Sequence, residues 1–236
     1  MATTADEFQR RLGGLKADIV RQGLRVRILA EEAFEAVFSP DASALSRLNA
    51  LEDEVDRVDV EIEREAVALL TDATEIGSRL ADADLRLVLT IVKINNELER
   101  IADAGVQTAE LGRQLSQREA RCPATLRVMT NSVVGILRDA IQAIEAGTPE
   151  LARVVLESDD AVEAFKDTLV REAERMVAGG SIGAGSAFAM VEIATACQFI
   201  AEHAVNIAEQ LLYYHTGTIV RHSDGRWQEV RLEESE

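Results

Sequence analysis

The chain has 236 residues, with 25 basic against 42 acidic side chains and a formal net charge of −17. That length supplies a sizeable core, the 47% hydrophobic content excludes a disordered chain, and the negative charge argues against binding nucleic acid or an anionic membrane surface. Only 3 prolines, 14 glycines and 4% aromatic residues argue against a turn-rich β protein.

Apolar residues recur at alternating steps of three and four along most of the sequence. The first run is Phe8, Leu12, Leu15, Ile19, Val26, Leu29 and Ala33; the second is Leu45, Leu48, Leu51, Val55, Val58, Ile62 and Leu69. A third comprises Leu87, Ile91, Ile94, Leu98, Ile101 and Gly105, and a fourth Leu126, Met129, Val133, Ile136, Ala140 and Ile144. Val155, Val162, Phe165, Leu169 and Met176 form the fifth, and Met190, Ile193, Cys197, Ile200, Ala204, Ile207, Leu211 and Tyr214 the sixth. Such spacing predicts six helices with narrow apolar seams, packed as antiparallel bundles.

The breaks carry helix punctuation. Ser39-Pro40-Asp41 and Thr148-Pro149-Glu150 each place a capping residue, a proline at the first helical position and an acid in the first turn. Cys122-Pro123 opens the fourth helix, the glycine-rich stretch 179–186 (GGSIGAGS) separates the fifth from the sixth, and Gly217 ends the sixth. The tail from Thr218 has no clear period and is expected to be extended or mobile. Residues 1–8 (MATTADEF) have neither the basic nor the apolar segment of a secretory leader, and no apolar run approaches the ~20 residues of a membrane span. With Cys122 and Cys197 outside any CxxC pair, a cytoplasmic protein without disulfides is expected.

An internal repeat organises these helices. Arg64-Glu65-Ala66 recurs 107 positions later as Arg171-Glu172-Ala173, and the same offset carries Glu52, Val55 and Asp56 onto Asp159, Val162 and Glu163. The expected architecture is all-α, with two tandem three-helix bundles at 1–117 and 118–217 and a tail at 218–236.

Carboxylates spaced by four recur beside the seams. Glu52 and Asp56 follow Leu51 and Val55, while Glu99, just after Leu98, is followed by Asp103. A spacing of four places two side chains on one helix face about 5–6 Å apart at Cβ, a mild cost that a cation would offset. Two such pairs on antiparallel neighbours would form a hard-oxygen site suited to Mg, Mn, Ca or iron. Asp159 and Glu163 supply one pair in the second half, but the counterparts of Glu99 and Asp103 are Gln198 and Glu202, an amide and a carboxylate. The competing reading is a solvated acidic face, and Asp59 with Glu63 is taken as one.

Lys93 to Ala109 reads KINNELERIADAGVQTA and is preceded by Asp84-Leu85-Arg86; residues 203–209 read HAVNIAE, followed by Leu212-Tyr213-Tyr214-His215-Thr216-Gly217. These segments resemble the PhoU family, in which each half carries a segment like LERIGDHAxNIAE. The first copy here has Ala104 and Gln107 where histidine and asparagine are usual, and the second has Gln198-Phe199-Ile200-Ala201-Glu202 in place of ERIGD. The resemblance implies two three-helix bundles, each with acidic motifs that hold multinuclear metal. By position, the ligands would be Glu52, Asp56, Glu99 and Asp103 in the first half, and Asp159, Glu163 and Glu202 in the second, where Gln198 stands in place of a carboxylate and weaker metal binding is expected. Divalent or trivalent ions, iron, zinc, manganese or magnesium, are expected. The resemblance further implies a negative regulator of the phosphate-starvation response that links the phosphate transporter's ATPase subunit to a sensor histidine kinase on the cytoplasmic side. A homodimeric adaptor without nucleic-acid binding, membrane insertion or catalysis is therefore expected. The alternatives are an accessory regulator of a low-affinity phosphate permease, or a carboxylate-bridged metal enzyme in a helical bundle.

Other chemistries find little support. The Glu-x-x-His pattern of ferritin-like enzymes is missing, because Ile200, Leu212 and Ile219 precede His203, His215 and His222 by three. His203 is expected to pair with Asn206 or with a neighbouring helix. The stretch 179–186 lacks the terminal Gly-Lys-Ser/Thr of a P-loop and follows a helix. Arg226 and Trp227 suggest either a docking element or a tail folded back on the bundle.

Overall fold

The structure, a computed structural model, describes residues 5–39, 41, 43–75, 80–223 and 226–230. Within them the apolar seams form helices α1 (Ala5–Phe38), α2 (Ala44–Glu75), α3 (Asp82–Gln117), α4 (Ala124–Ala146), α5 (Pro149–Leu156), α6 (Asp159–Ala178) and α7 (Ala184–Thr216). Helices α1, α2 and α3 pack together as one bundle. Helices α4, α6 and α7 form the second, with the short α5 lying against α4 and α7. The seam residues fill the core: Leu29, Leu48, Val55, Leu98 and Ile101 are completely buried in the first bundle, and Leu126, Val133, Leu169, Ile193 and Ile200 in the second. The bundles join through α3 against α7 and α1 against α4, so buried side chains from both belong to one continuous cluster.

The fifth seam divides into two helices. The chain turns at Glu157 and Ser158, where the Ser158 N–H donates to the Val155 carbonyl at 3.1 Å. This lets α5 bury Ala152, Val155 and Leu156 before α6 begins at Asp159. Among the described residues of the tail, β1 (Ile219–Ser223) pairs antiparallel with β2 (Arg226–Val230), with Ile219 opposite Val230. The side chains of Arg226 and Trp227 lie outside the described residues.

Punctuation at the helix ends is partly as expected. Pro149 is the first residue of α5 behind Thr148, and Gly147 and Gly217 take left-handed backbone (φ 61° and 70°) where α4 and α7 stop. Pro40 lies outside the described residues. At the start of α2, Asp41 serves as the cap, accepting from the Ser43 N–H at 3.0 Å and the Ser43 hydroxyl at 2.7 Å. These bonds and the Arg47 guanidinium hold its carboxyl down at about 2. Cys122 and Cys197 are unpaired, as expected.

Helix α7 corrects the expectation that no segment has the length and apolarity of a membrane span. Its 33 residues include a window of mean hydropathy 1.4, half of it buried inside the protein. A helix surrounded by α3, α4, α5 and α6 is apolar on most of its circumference, and Glu192, Gln198 and Glu202 interrupt the unbroken apolar run that would have shown this in the sequence.

Helices α1 and α3 approach closely at two glycines. A Cβ on Gly105 would lie 2.5 Å from Leu29 Cδ2, and one on Gly112 would lie 2.7 Å from the Val37 Cα. The hydrogen side chains bring α3 onto α1 and so fix which face of α3 remains for α2 and α7.

Candidate functional site

The buried seam residues of α2 and α3 orient the flanking carboxylates. Val55 and Leu98 are fully buried, while the residues that follow them, Asp56 and Glu99, are exposed and half-buried on the two packed helices. Glu52, Asp56, Glu99 and Asp103 are brought together there. Partial burial raises the Glu52 carboxyl, and the charges of Asp56 and Asp103 raise it further. Asp56 is raised by burial and then by Asp103 and Asp53. Glu99 is raised by burial, Asp103, Asp59 and Asp56, while Arg100 pulls the other way without cancelling the shift. Each group thus titrates in the field of others across two helices, the like-charge arrangement from which a cation would gain most.

Asp59 belongs to this group, although its sequence pattern reads as a solvated face. It too is raised, by burial and then by Glu63 and Asp56, and its charge reaches Glu99. Asn95 fixes it from α3: the amide Nδ2 donates to the Asp59 carbonyl at 3.0 Å and to Oδ1 at 2.6 Å. Asn95 is fully buried, and its own Oδ1 has no hydrogen-bond partner. The donor set is carboxylate oxygen with one unpartnered amide oxygen, chemistry that fits a hard cation. The side chains are gathered but not closed: among the described residues no three His, Cys, Asp or Glu side chains converge as a ligand group.

The second half is arranged differently. Glu163 and Glu202 are exposed, and the side chain of Asp159 lies outside the described residues. Gln198 donates from Nε2 to Glu202 Oε1 at 3.0 Å, and its Oε1 accepts from Lys166 Nζ at 2.7 Å. Lys166 lies outside the pattern of acids spaced by four, and the repeat offset of 107 that matches Asp56 to Glu163 places it opposite Asp59.

Between the halves lies a polar cluster, only part of which is visible in local sequence spacing. His203 is 6% exposed and bonds through Nδ1 to Glu97 on α3, and Asn206 Nδ2 donates to the same carboxylate oxygen at 3.1 Å. The neighbouring-helix partner expected for His203 is therefore Glu97. Burial alone would raise Glu97, but the hydrogen bonds from His203 and Asn206 outweigh it and hold the carboxyl below its ordinary value. The Phe199 ring packs on the imidazole at 4.0 Å between centroids. Near this cluster α3 and α7 also border a groove of about 490 Å³ lined by Arg100, Asp103, Ala104, Gln107, Glu192 and Ala196, among others.

Fold and site together define a duplicated three-helix-bundle protein with a polar seam between its copies and a carboxylate-rich face on one of them. The family model for the PhoU domain matches residues 19–112 and again 126–211, and the chain belongs to the PhoU family. It is 26% identical over 212 residues to the Thermotoga maritima phosphate-specific transport system accessory protein PhoU homolog 1, covering 89% of each chain. It is 29% identical over 215 residues to a PhoU homolog of the same description from Zymomonas mobilis, covering 91% of this chain and 89% of that one. Two crystal structures share the fold. The phosphate transport system regulatory protein PhoU from Streptococcus pneumoniae has a TM-score of 0.82 at 21% identity, covering 91% of this chain and 100% of that one. PhoU from Pseudomonas aeruginosa has a TM-score of 0.81 at 24% identity, covering 89% and 100%.

Proposed function

We propose that this protein is an accessory regulator of a phosphate-specific transport system. It acts in the cytoplasm by contact with other proteins rather than by catalysis. The observation that carries the reading is the pair of PhoU domains, which together span most of the chain and match relatives named for that system over nearly their whole length. In this reading the protein, as a homodimer, links the transporter's ATPase subunit to a sensor histidine kinase. Its acidic surface steers it toward basic patches on those partners, and the attraction weakens as salt rises.

The α2–α3 face gives the adaptor a place to bind a divalent or trivalent metal ion: iron, zinc, manganese or magnesium. Glu52, Asp56, Glu99 and Asp103 would hold it, with Asp59 and Asn95 beside them. A metal supplies positive charge that relieves carboxylate repulsion and fixes the relative position of α2 and α3. The seams and the Asn95 bonds to Asp59 hold the carboxylates near one another before any cation arrives.

Deleting the gene should derepress a phosphate-starvation reporter in phosphate-replete cells, and the purified protein should retain the ATPase subunit in a pull-down that weakens with salt. Repression intact in the deletion strain, or retention of a lone phosphate permease instead of the ATPase subunit, would overturn the proposed role. Elemental analysis of wild type beside Glu99→Ala/Asp103→Ala tests the metal: bound ion lost in the variant supports the site, and equal metal in both overturns it.

A further inference from the structure

The repeat pairs positions across the halves, at an offset of 107 between α2 and α6 and of 99 between α3 and α7. Glu52, Asp56, Asp59, Glu99 and Asp103 stand opposite Asp159, Glu163, Lys166, Gln198 and Glu202. Five carboxylates on one face become three carboxylates, an ammonium and an amide on the other. The two departures act together. Lys166 on α6 is half-buried and donates from Nζ to Gln198 Oε1 at 2.7 Å. The same amide donates from Nε2 to Glu202 Oε1 at 3.0 Å. A primary amide can accept on one side and donate on the other, so Gln198 connects a cation on α6 to a carboxylate on α7. A carboxylate at 198 would accept from Lys166 but repel Glu202, and a metal ion beside Gln198 would have to displace the ammonium.

We propose that Lys166 is the resident cation of the second acidic face. Its ammonium, coupled through Gln198 to Glu202, takes the place a metal ion would have there, so the α6–α7 face is closed to metal and any metal binding is confined to α2–α3. The second-half statement stands apart from the metal reading of the first half. The ammonium is tethered to α6 and does not exchange with solvent as a bound ion does, so metal concentration acts on the α2–α3 pair alone.

The test is Mn²⁺ alone, by equilibrium dialysis against the full chain. The background is Glu99→Gln/Asp103→Asn, which removes carboxylates from the first face. Into it are placed the first half's own residues, Lys166→Asp and Gln198→Glu. The expected result is Mn²⁺ binding about tenfold or more tighter than in the background, lost again on adding Glu202→Gln. If the combined variant folds poorly without metal, millimolar Mn²⁺ should restore its helical circular dichroism. No gain in Mn²⁺ binding and no restored helicity would overturn the proposal. So would Mn²⁺ bound by the background with Lys166 in place and released by Glu163→Gln/Glu202→Gln. If wild type and background bind equally little Mn²⁺, the first-half metal reading fails, and the Lys166→Asp/Gln198→Glu pair still decides the second.

Discussion

On one side of the α3–α7 contact, Glu97 accepts hydrogen bonds from His203 and Asn206 in a buried setting. The repeat puts Ala196, Ala104 and Gln107 at the equivalent positions on the other side, and there the helices border a groove of about 490 Å³. The open side is also the side of the carboxylate face, because Asp103 lines the groove and contributes to the field that raises Glu52, Asp56 and Glu99. The closed side carries satisfied polar groups, just as Lys166 and Gln198 satisfy the α6–α7 face. A duplicated bundle has thus kept its packing twice and divided its electrostatics. One set of contacts is internally hydrogen-bonded and suited to hold the halves together; the other retains unrelieved repulsion beside an accessible groove, suited to respond to a ligand or partner.

The largest expected effect comes from breaking the closed side. Glu97→Ala strands His203 and Asn206 in a buried interface and should cost about 3 kcal/mol, measured by urea unfolding at neutral pH. Glu97→Gln, which still offers an acceptor, should cost less. On the open side the matching change is Ala196→Val, which extends into the groove and should shift stability by under about 1 kcal/mol. Equal costs on the two sides would remove the distinction between clamp and groove.

Next is the approach of α1 to α3. Gly112→Ala forces a methyl against the Val37 backbone and should cost about 2 kcal/mol, and Gly105→Ala somewhat less because Leu29 Cδ2 is the end of a flexible side chain. In α4, a Cβ on Gly135 would meet nothing within 4 Å, so Gly135→Ala should stabilise by about 0.5–1 kcal/mol through helix propensity alone. Thermal unfolding of the three variants separates close packing from backbone entropy.

The seams were legible because period and burial coincide: Leu29, Val55, Leu98 and Ile200 were placed in the core by spacing and are completely buried. The break at Glu157 and Ser158 was not, since both residues are compatible with a helix and only the packing of α5 on α4 and α7 decides it. Glu52, Asp56, Glu99 and Asp103 were found together because an i,i+4 pair is a local pattern. Glu97 and Asp59 escaped for the opposite reason. Their partners, His203 and Asn95, lie across a helix–helix contact, and neither residue differs in sequence from an exposed acid. Lys166 could have been read by following the repeat one turn beyond Glu163, and its meaning then depends on Gln198, which the family pattern had already marked as a departure.

The smallest effect tests whether the first acidic face is held under repulsion. Glu52, Asp56 and Glu99 are raised from ordinary values of 4.5, 3.8 and 4.5, so the folded protein takes up these protons at higher pH than the unfolded chain. Between the unfolded and folded values the native state holds more protons, and stability therefore rises as pH falls from 7 through the region just above the ordinary carboxylate values. Glu97 behaves oppositely. Its carboxyl is held below 4.5, so its contribution is complete above the unfolded value and lost as pH falls through the folded one. The urea midpoint should accordingly climb a little in mild acid and then drop. Glu52→Gln/Glu99→Gln should flatten the climb and raise stability at neutral pH by on the order of half a kcal/mol, a figure kept small by solvent screening of partly exposed groups. Glu97→Gln should weaken the acid limb, of which the lowered Asp41 carboxyl keeps a share, and leave the climb. A climb undiminished in Glu52→Gln/Asp56→Asn/Asp59→Asn/Glu99→Gln, which removes every raised carboxyl of the α2–α3 face, would mean that the proton uptake occurs elsewhere, and the contrast between a responsive half and an internally bonded half would then lose its electrostatic basis.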